Sequence, residues 1–139
     1  MNGGKERRQG LEIDMKTVPI FHTFLTAGAV FMTTTDQSTG ETIPNAPQRT
    51  YDLGLQYDYK SFKALLQAHY IYWNSDPALQ GKYDSFNYDL HLTKIFDLHA
   101  GQKFETFFDI HNIFDVDQYS IAVYKTPGTW IEAGVRYSF

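Results

Sequence analysis

The sequence predicts an all-β chain, an antiparallel meander of about seven strands. Three observations carry that reading. Ile131, Ala133, Val135, Tyr137 and Phe139 alternate with Glu132, Gly134, Arg136 and Ser138, the period-two pattern of a strand with one apolar face. Aromatic residues make up 17% of the chain, with ten Tyr and eleven Phe, and aromatics favour strands. No stretch of the sequence approaches the ~18 consecutive apolar residues of a membrane helix.

The first strand is expected at about Arg8 to Val18, where Leu11, Ile13 and Met15 alternate with Glu12, Asp14 and Lys16 before Pro19 ends the run. The second covers about Thr23 to Thr35. Both of its faces are mixed, and the pattern does not assign its inner side. Asp36 to Gln48, with Gly40, Pro44 and Pro47, is a loop by composition. In the third strand Tyr51, Leu53, Leu55, Tyr57 and Tyr59 form one face, and Asp52, Gly54, Gln56 and Asp58 the other. The fourth runs from Phe62 to Trp73, with Phe62, Ala64, Leu66, Ala68, Tyr70 and Tyr72 on one face. Only Lys60 and Ser61 separate these strands, so a tight hairpin is expected, although Lys-Ser is not a preferred turn pair. Centring the hairpin there pairs Leu55 with Leu66 and Tyr51 with Tyr70 on the apolar face. It pairs Asp58 with Lys63 and Asp52 with His69 on the other, and both faces come out chemically sensible.

A second polar loop spans Asn74 to Tyr83. The fifth strand, about Asp84 to Phe96, sets Phe86, Tyr88, Leu90 and Leu92 against Asn87, Asp89, His91 and Thr93. A short connection, Asp97 to Gln102, leads to the sixth strand, Lys103 to Asn112. A third long loop runs from Ile113 to Gly128, and the last strand follows.

Composition narrows the function classes. A hydrophobic fraction of 42% and a mean hydropathy of −0.40 do not suit a helical membrane protein. They suit a membrane barrel, whose spans are half polar. The absence of cysteine excludes disulfides and thiolate metal sites. A net charge of −4 leaves no electrostatic footprint for nucleic acid. Met1-Asn-Gly-Gly-Lys-Glu-Arg-Arg has no apolar core and is no signal peptide. An exported barrel needs one, so the expectation is a fragment, or a leader encoded elsewhere.

The connections alternate short and long, as in transmembrane barrels with short periplasmic turns and long outer loops. With Phe139 at the periplasmic side, every long loop falls outside the cell. Tyr57, Tyr59, Phe62, Phe96, Tyr137 and Phe139 then lie near the periplasmic rim, and Tyr51, Tyr70, Tyr72, Phe86 and Trp130 near the outer rim. Leu53, Leu55, Leu66, Leu90 and Val135 lie between them. Two aromatic girdles around an aliphatic band are expected of an outer-membrane wall. On the opposite parity, Asp52, Gln56, His69, Asp89 and His91 are expected to face the lumen.

The final strand resembles the terminal-strand signal of bacterial outer-membrane barrels, in which Val135, Tyr137 and Phe139 would be read by the barrel-assembly machinery as an added strand. Asn112-Ile113-Phe114-Asp115 followed by Tyr119 resembles the Asn-Leu-Phe-Asp…Tyr element before the last loop of TonB-dependent outer-membrane receptors, with Ile113 in place of the usual Leu. Gly10-Leu11-Glu12, Ile43-Pro44-Asn45-Ala46-Pro47 ahead of a Leu-Gly-Leu strand, and Pro127-Gly128 ahead of Arg136-Tyr137-Ser138-Phe139 are similar to elements of the same family. The resemblance covers the whole chain, residues 1–139, as the C-terminal portion of a barrel of about 22 strands with a plugged lumen. It implies a bacterial outer-membrane transporter that imports a siderophore, haem, cobalamin or a similar scarce ligand. Its implied partners are outer-membrane lipid, the barrel-assembly machinery, the plug domain, the remaining strands and TonB. The plug and the TonB-contacting segment have no counterpart here. Seven strands alone would leave open edges in lipid, where each unpaired backbone group is costly, so this sheet is expected to be part of a larger barrel.

Site chemistry is sparse. No nucleophile–base pair and no phosphate loop is present, so the reading assigns no catalytic residue, no cofactor and no enzyme activity. His69, His91 and His111 share the polar parity with Asp52, Asp89 and Asp109. A metal cluster is one use of them; a wet lumen wall is the preferred one, because the register spreads the histidines over three strands. Asn112 and Asp115 are expected to cap a turn. Glu105, Asp109 and Glu132 suggest paired carboxylates that nothing in the sequence locates in a cleft. Leu65 and Phe107 break the parity by pointing inward. The rival from another class is a small soluble ligand-binding β-barrel with its apolar faces turned inside.

Overall fold

Strands form where side chains alternate, because a pleated backbone sends successive residues to opposite faces. The computed structural model describes residues 5–74, 85–121 and 124–139. Its strands are β1 (Glu6–Lys16), β2 (Thr23–Asp36), β3 (Ala46–Tyr59), β4 (Phe62–Asn74), β5 (Asn87–Asp97), β6 (Lys103–His111), β7 (Tyr119–Ile121), β8 (Tyr124–Lys125) and β9 (Trp130–Ser138). One seven-stranded sheet has the order β1-β2-β3-β4-β5-β6-β9, and β7 with β8 makes a separate hairpin. Every pairing is antiparallel. Among the described residues the helical structure is one 3₁₀ turn, His99–Gly101, and no helix is long and apolar enough to cross a membrane.

The central hairpin has the register that the side chains ask for. Leu55 faces Leu66, Tyr51 faces Tyr70, Asp58 faces Lys63 and Asp52 faces His69. Lys60 turns the corner with φ 53°. The β1–β2 connection tightens at Phe21 and His22, both left-handed at φ 49° and 64°, between Ile20 and Thr23, which exchange two backbone hydrogen bonds. Two positive φ values are what a type I′ turn needs, and Phe-His lacks the Asn-Gly chemistry that would announce one.

Several boundaries move. β3 begins at Ala46, so the loop expected to reach Gln48 ends earlier; a register shift between Pro47 and Arg49 accommodates the proline. β5 begins at Asn87. The expected start at Asp84, and the loop from Asn74 to Tyr83 beyond Asn74 itself, lie outside the described residues. β6 stops at His111, because Asn112 takes φ 50° and leaves the ladder. The third long loop, expected at Ile113 to Gly128, contains the β7–β8 hairpin.

Pairing also assigns β2. Leu25, Ala27 and Ala29 lie opposite Leu55, Leu53 and Tyr51, which places them on the apolar face. Leu25, Leu55, Leu66, Leu90, Ile110 and Ile131 then form one unbroken cross-strand row. Nothing covers it. Ala68, at 7% exposure, is the one buried apolar side chain among the described residues, while Leu55 is 42% and Val135 67% exposed. The sheet is a wall with a bare apolar side.

Candidate functional site

The bare face is ordered by height. On one side of the aliphatic row, rings touch in sequence from β2 to the loop after β6. Phe31 lies 5.9 Å from Tyr51, Tyr51 5.8 Å from Tyr70, Tyr70 5.3 Å from Phe86, Phe86 6.3 Å from Tyr88, and Tyr88 5.3 Å from Phe114. Arg49 places its guanidinium over Tyr72 at 5.8 Å. On the other side are His22 with Tyr59 at 4.3 Å, Tyr57 with Phe62 at 6.2 Å, Phe96 with Phe104 at 6.3 Å and Tyr137 with Phe139 at 5.9 Å. The amines of Lys60 and Lys94 stand over Tyr59 and Phe96 at this second rim. Cations beside ring faces gain from the ring quadrupole while their heads stay wet. Trp130 departs from this pattern. It pairs with His111, on the polar face, so it does not belong to the outer aromatic row.

The polar face binds its histidines to carboxylates across strands. His69 Nδ1 is 2.6 Å from Asp52 Oδ1, between β4 and β3. His91 Nδ1 is 3.2 Å from Asp109 Oδ1, and His111 Nδ1 is 3.8 Å from Asp89 Oδ1, so β5 and β6 are linked in both directions. Glu105 accepts a hydrogen bond from Arg136 Nη1 at 2.9 Å, and Asp109 lies opposite Glu132. The suspected carboxylate trio therefore divides: Glu105 is neutralised, while Asp109 and Glu132 are neighbours. Gln56 lies on this face, opposite Phe24 and Leu65. Phe107 faces Gly134, and its ring occupies the space a Cβ there would need. That explains both the inward aromatic and the glycine.

The Asn112–Asp115 segment is a structural clasp. Asn112 is 2% exposed. Its Nδ2 donates to Val116 O at 2.9 Å and Pro127 O at 3.0 Å, its Oδ1 accepts from Val116 N at 2.9 Å, and its N donates to Asp89 Oδ1 at 2.8 Å. Thr129 Oγ1 donates to Asn112 O at 2.6 Å, and Thr129 N donates to Asp115 Oδ1 at 3.2 Å. Asp115 is left-handed at φ 52°. Ile113 N donates to Tyr88 O at 2.9 Å, and Phe114 extends the aromatic row. Tyr119 opens β7. Gln118, 4% exposed, donates from Nε2 to His69 O at 2.7 Å and Ser85 O at 3.1 Å, tying the loop back to β4 and to the approach to β5. No periodicity could have pointed to Gln118, because its partners are backbone carbonyls distant in sequence.

Comparison with protein-family models, curated proteins and solved structures yields no match for this chain.

Proposed function

We propose that the chain is a wall segment of a bacterial outer-membrane β-barrel, the C-terminal part of a TonB-dependent transporter. The observation that carries this reading is the uncovered apolar face, an aliphatic row framed by aromatic rows at two heights, with ion pairs on the opposite side. Soluble monomers rarely expose apolar patches beyond a few hundred Å². A lipid-facing wall must expose one, and its aromatic girdles sit at the two interfaces. β1 and β9 each have one sheet neighbour among the described strands. In lipid their free backbone groups call for further strands of the parent. The polar face then lines the lumen against a plug, and the long connections face outward. Val135, Tyr137 and Phe139 serve the assembly machinery, and the cargo belongs to the siderophore, haem or cobalamin class. A soluble ligand-binding barrel would turn Leu55 and Val135 inward; their exposure favours the membrane wall.

Spin labels at Leu55 and Gln56 test the orientation in the full-length protein reconstituted into vesicles. The label at position 55 should be open to oxygen and shielded from a water-soluble nickel chelate, and the label at position 56 the reverse. The opposite pattern would end the proposal.

A further inference from the structure

We propose that Asp109, His111 and Glu132 form a divalent transition-metal site on the polar face. The site stands on strand register and does not depend on the membrane reading. Asp109 and Glu132 are directly opposite on β6 and β9, and His111 lies two residues along from Asp109 on the same face. One ligand atom from each lies within 4.8 Å of the others. Ligands about 2.1 Å from a common ion in a tetrahedral site lie roughly 3.4 Å apart. Side-chain shifts on the order of 1 Å therefore close the cluster around an ion.

A second observation concerns the imidazole. His111 Nε2 is shut off from solvent and has no hydrogen-bond partner among the described residues. A buried polar atom without a partner asks for an explanation, and a bound ion is one. The other ring nitrogen, Nδ1, lies 3.8 Å from Asp89 Oδ1, and that same oxygen accepts a hydrogen bond from Asn112 N at 2.8 Å. A metal-bound histidine ordinarily hands its second N–H to a carboxylate, and Asp89 is the carboxylate beside Nδ1, which points to Nε2 as the metal donor. His91 plays the matching part for Asp109, with Nδ1 3.2 Å from its carboxylate. Trp130 fixes the plane of His111 by stacking at 3.9 Å.

The donor set is one imidazole nitrogen and two carboxylates, which balance a dication. Imidazole selects zinc and its first-row neighbours over magnesium and calcium, which prefer oxygen alone. The cluster is not the one that the histidine pattern suggests. His69 is engaged by Asp52 on β3, away from β9, and Glu132 takes the third place.

Calorimetric titration of zinc chloride into the tag-free full-length protein, folded in detergent micelles, tests the site. We expect saturable binding that calcium and magnesium do not displace. Glu132→Gln, exposed and isosteric, should weaken it at least tenfold, as should His111→Gln. His69→Gln should change it less than twofold. Heat-modifiable migration on gels confirms that each variant is folded. No saturable binding, less than tenfold loss in folded Glu132→Gln, or equal loss in His69→Gln overturns the site. Reversed spin-label accessibility at positions 55 and 56, with zinc binding intact, would end the membrane reading and leave the metal site standing.

Discussion

Trp130 lies flat on His111, with ring centroids 3.9 Å apart and planes 11° from parallel. The two residues are cross-strand partners on β9 and β6, so the stack joins the last strand to the sheet at its polar face. An aromatic pair adds about 0.5–1.5 kcal/mol beyond the area it buries. Trp130→Ala should therefore lower the urea midpoint of the folded protein in detergent, and Trp130→Phe should recover most of the loss. Identical midpoints for Trp130→Ala and the parent would mean that the stack holds nothing.

Gly134 sits beneath Phe107, whose ring atoms leave no room for a Cβ. Gly134→Ala must push that ring off its place or shift β9, at a cost of about 1–3 kcal/mol, the usual scale of overpacking. Phe107→Leu in the same chain should relieve the clash, so the double variant should be more stable than additivity allows. Strict additivity in unfolding titrations would show that the ring moves away freely.

Asn112 satisfies two carbonyls and one N–H from its side chain while almost wholly buried. Replacing it with Ala strands those groups, at about 1–3 kcal/mol for a buried unsatisfied group. Asn112→Ala should open residues 113–129 to limited proteolysis and leave the sheet intact. Asn112→Asp should behave in between, since Oδ1 can still accept from Val116 N while the two carbonyls lose their donor. Unchanged cleavage would show that the loop is held by Gln118 and Thr129 instead.

What the sequence made legible follows from what period-two alternation encodes. The β3–β4 register was readable to the residue because both faces gave the same answer: Leu55 with Leu66, Asp52 with His69. β2 was opaque because Val30 and Met32 put apolar side chains on the polar face, and only pairing with β3 separates them from Leu25 and Ala27. The early start of β3 was hidden by Pro44 and Pro47, which read as loop although a bulge admits one of them to the strand. Trp130 was placed among the girdle aromatics on height alone, and its parity with Glu132 and Gly134 puts it on the polar side. The neighbourhood of Asp109, His111 and Glu132 depends on the β6–β9 register across a long loop, which no local pattern fixes.

Leu55 and Gln56 are adjacent in β3 and face opposite ways. If Leu55 meets lipid near the midplane, Leu55→Arg should cost about 2–4 kcal/mol in vesicles and Gln56→Arg much less. Guanidinium titrations of the full-length protein in lipid give both values. A larger loss for Gln56→Arg would place the polar face in the membrane and contradict the proposed wall.

Phe139 is 99% exposed, and its ring touches only Tyr137 among the described rings. A side chain so bare contributes little packing to the folded sheet. Its proposed value lies earlier, when β9 is presented as an unpaired edge and the alternating Val135, Tyr137 and Phe139 are read by strand addition. Phe139→Ala should therefore slow assembly far more than it lowers stability. The measurement sets the heat-modifiable folded fraction in outer membranes beside the unfolding midpoint of purified folded protein. A several-fold drop in the first with an unchanged second is expected. Equal losses in both would make Phe139 a packing residue, and no loss in either would remove the assembly role from this strand.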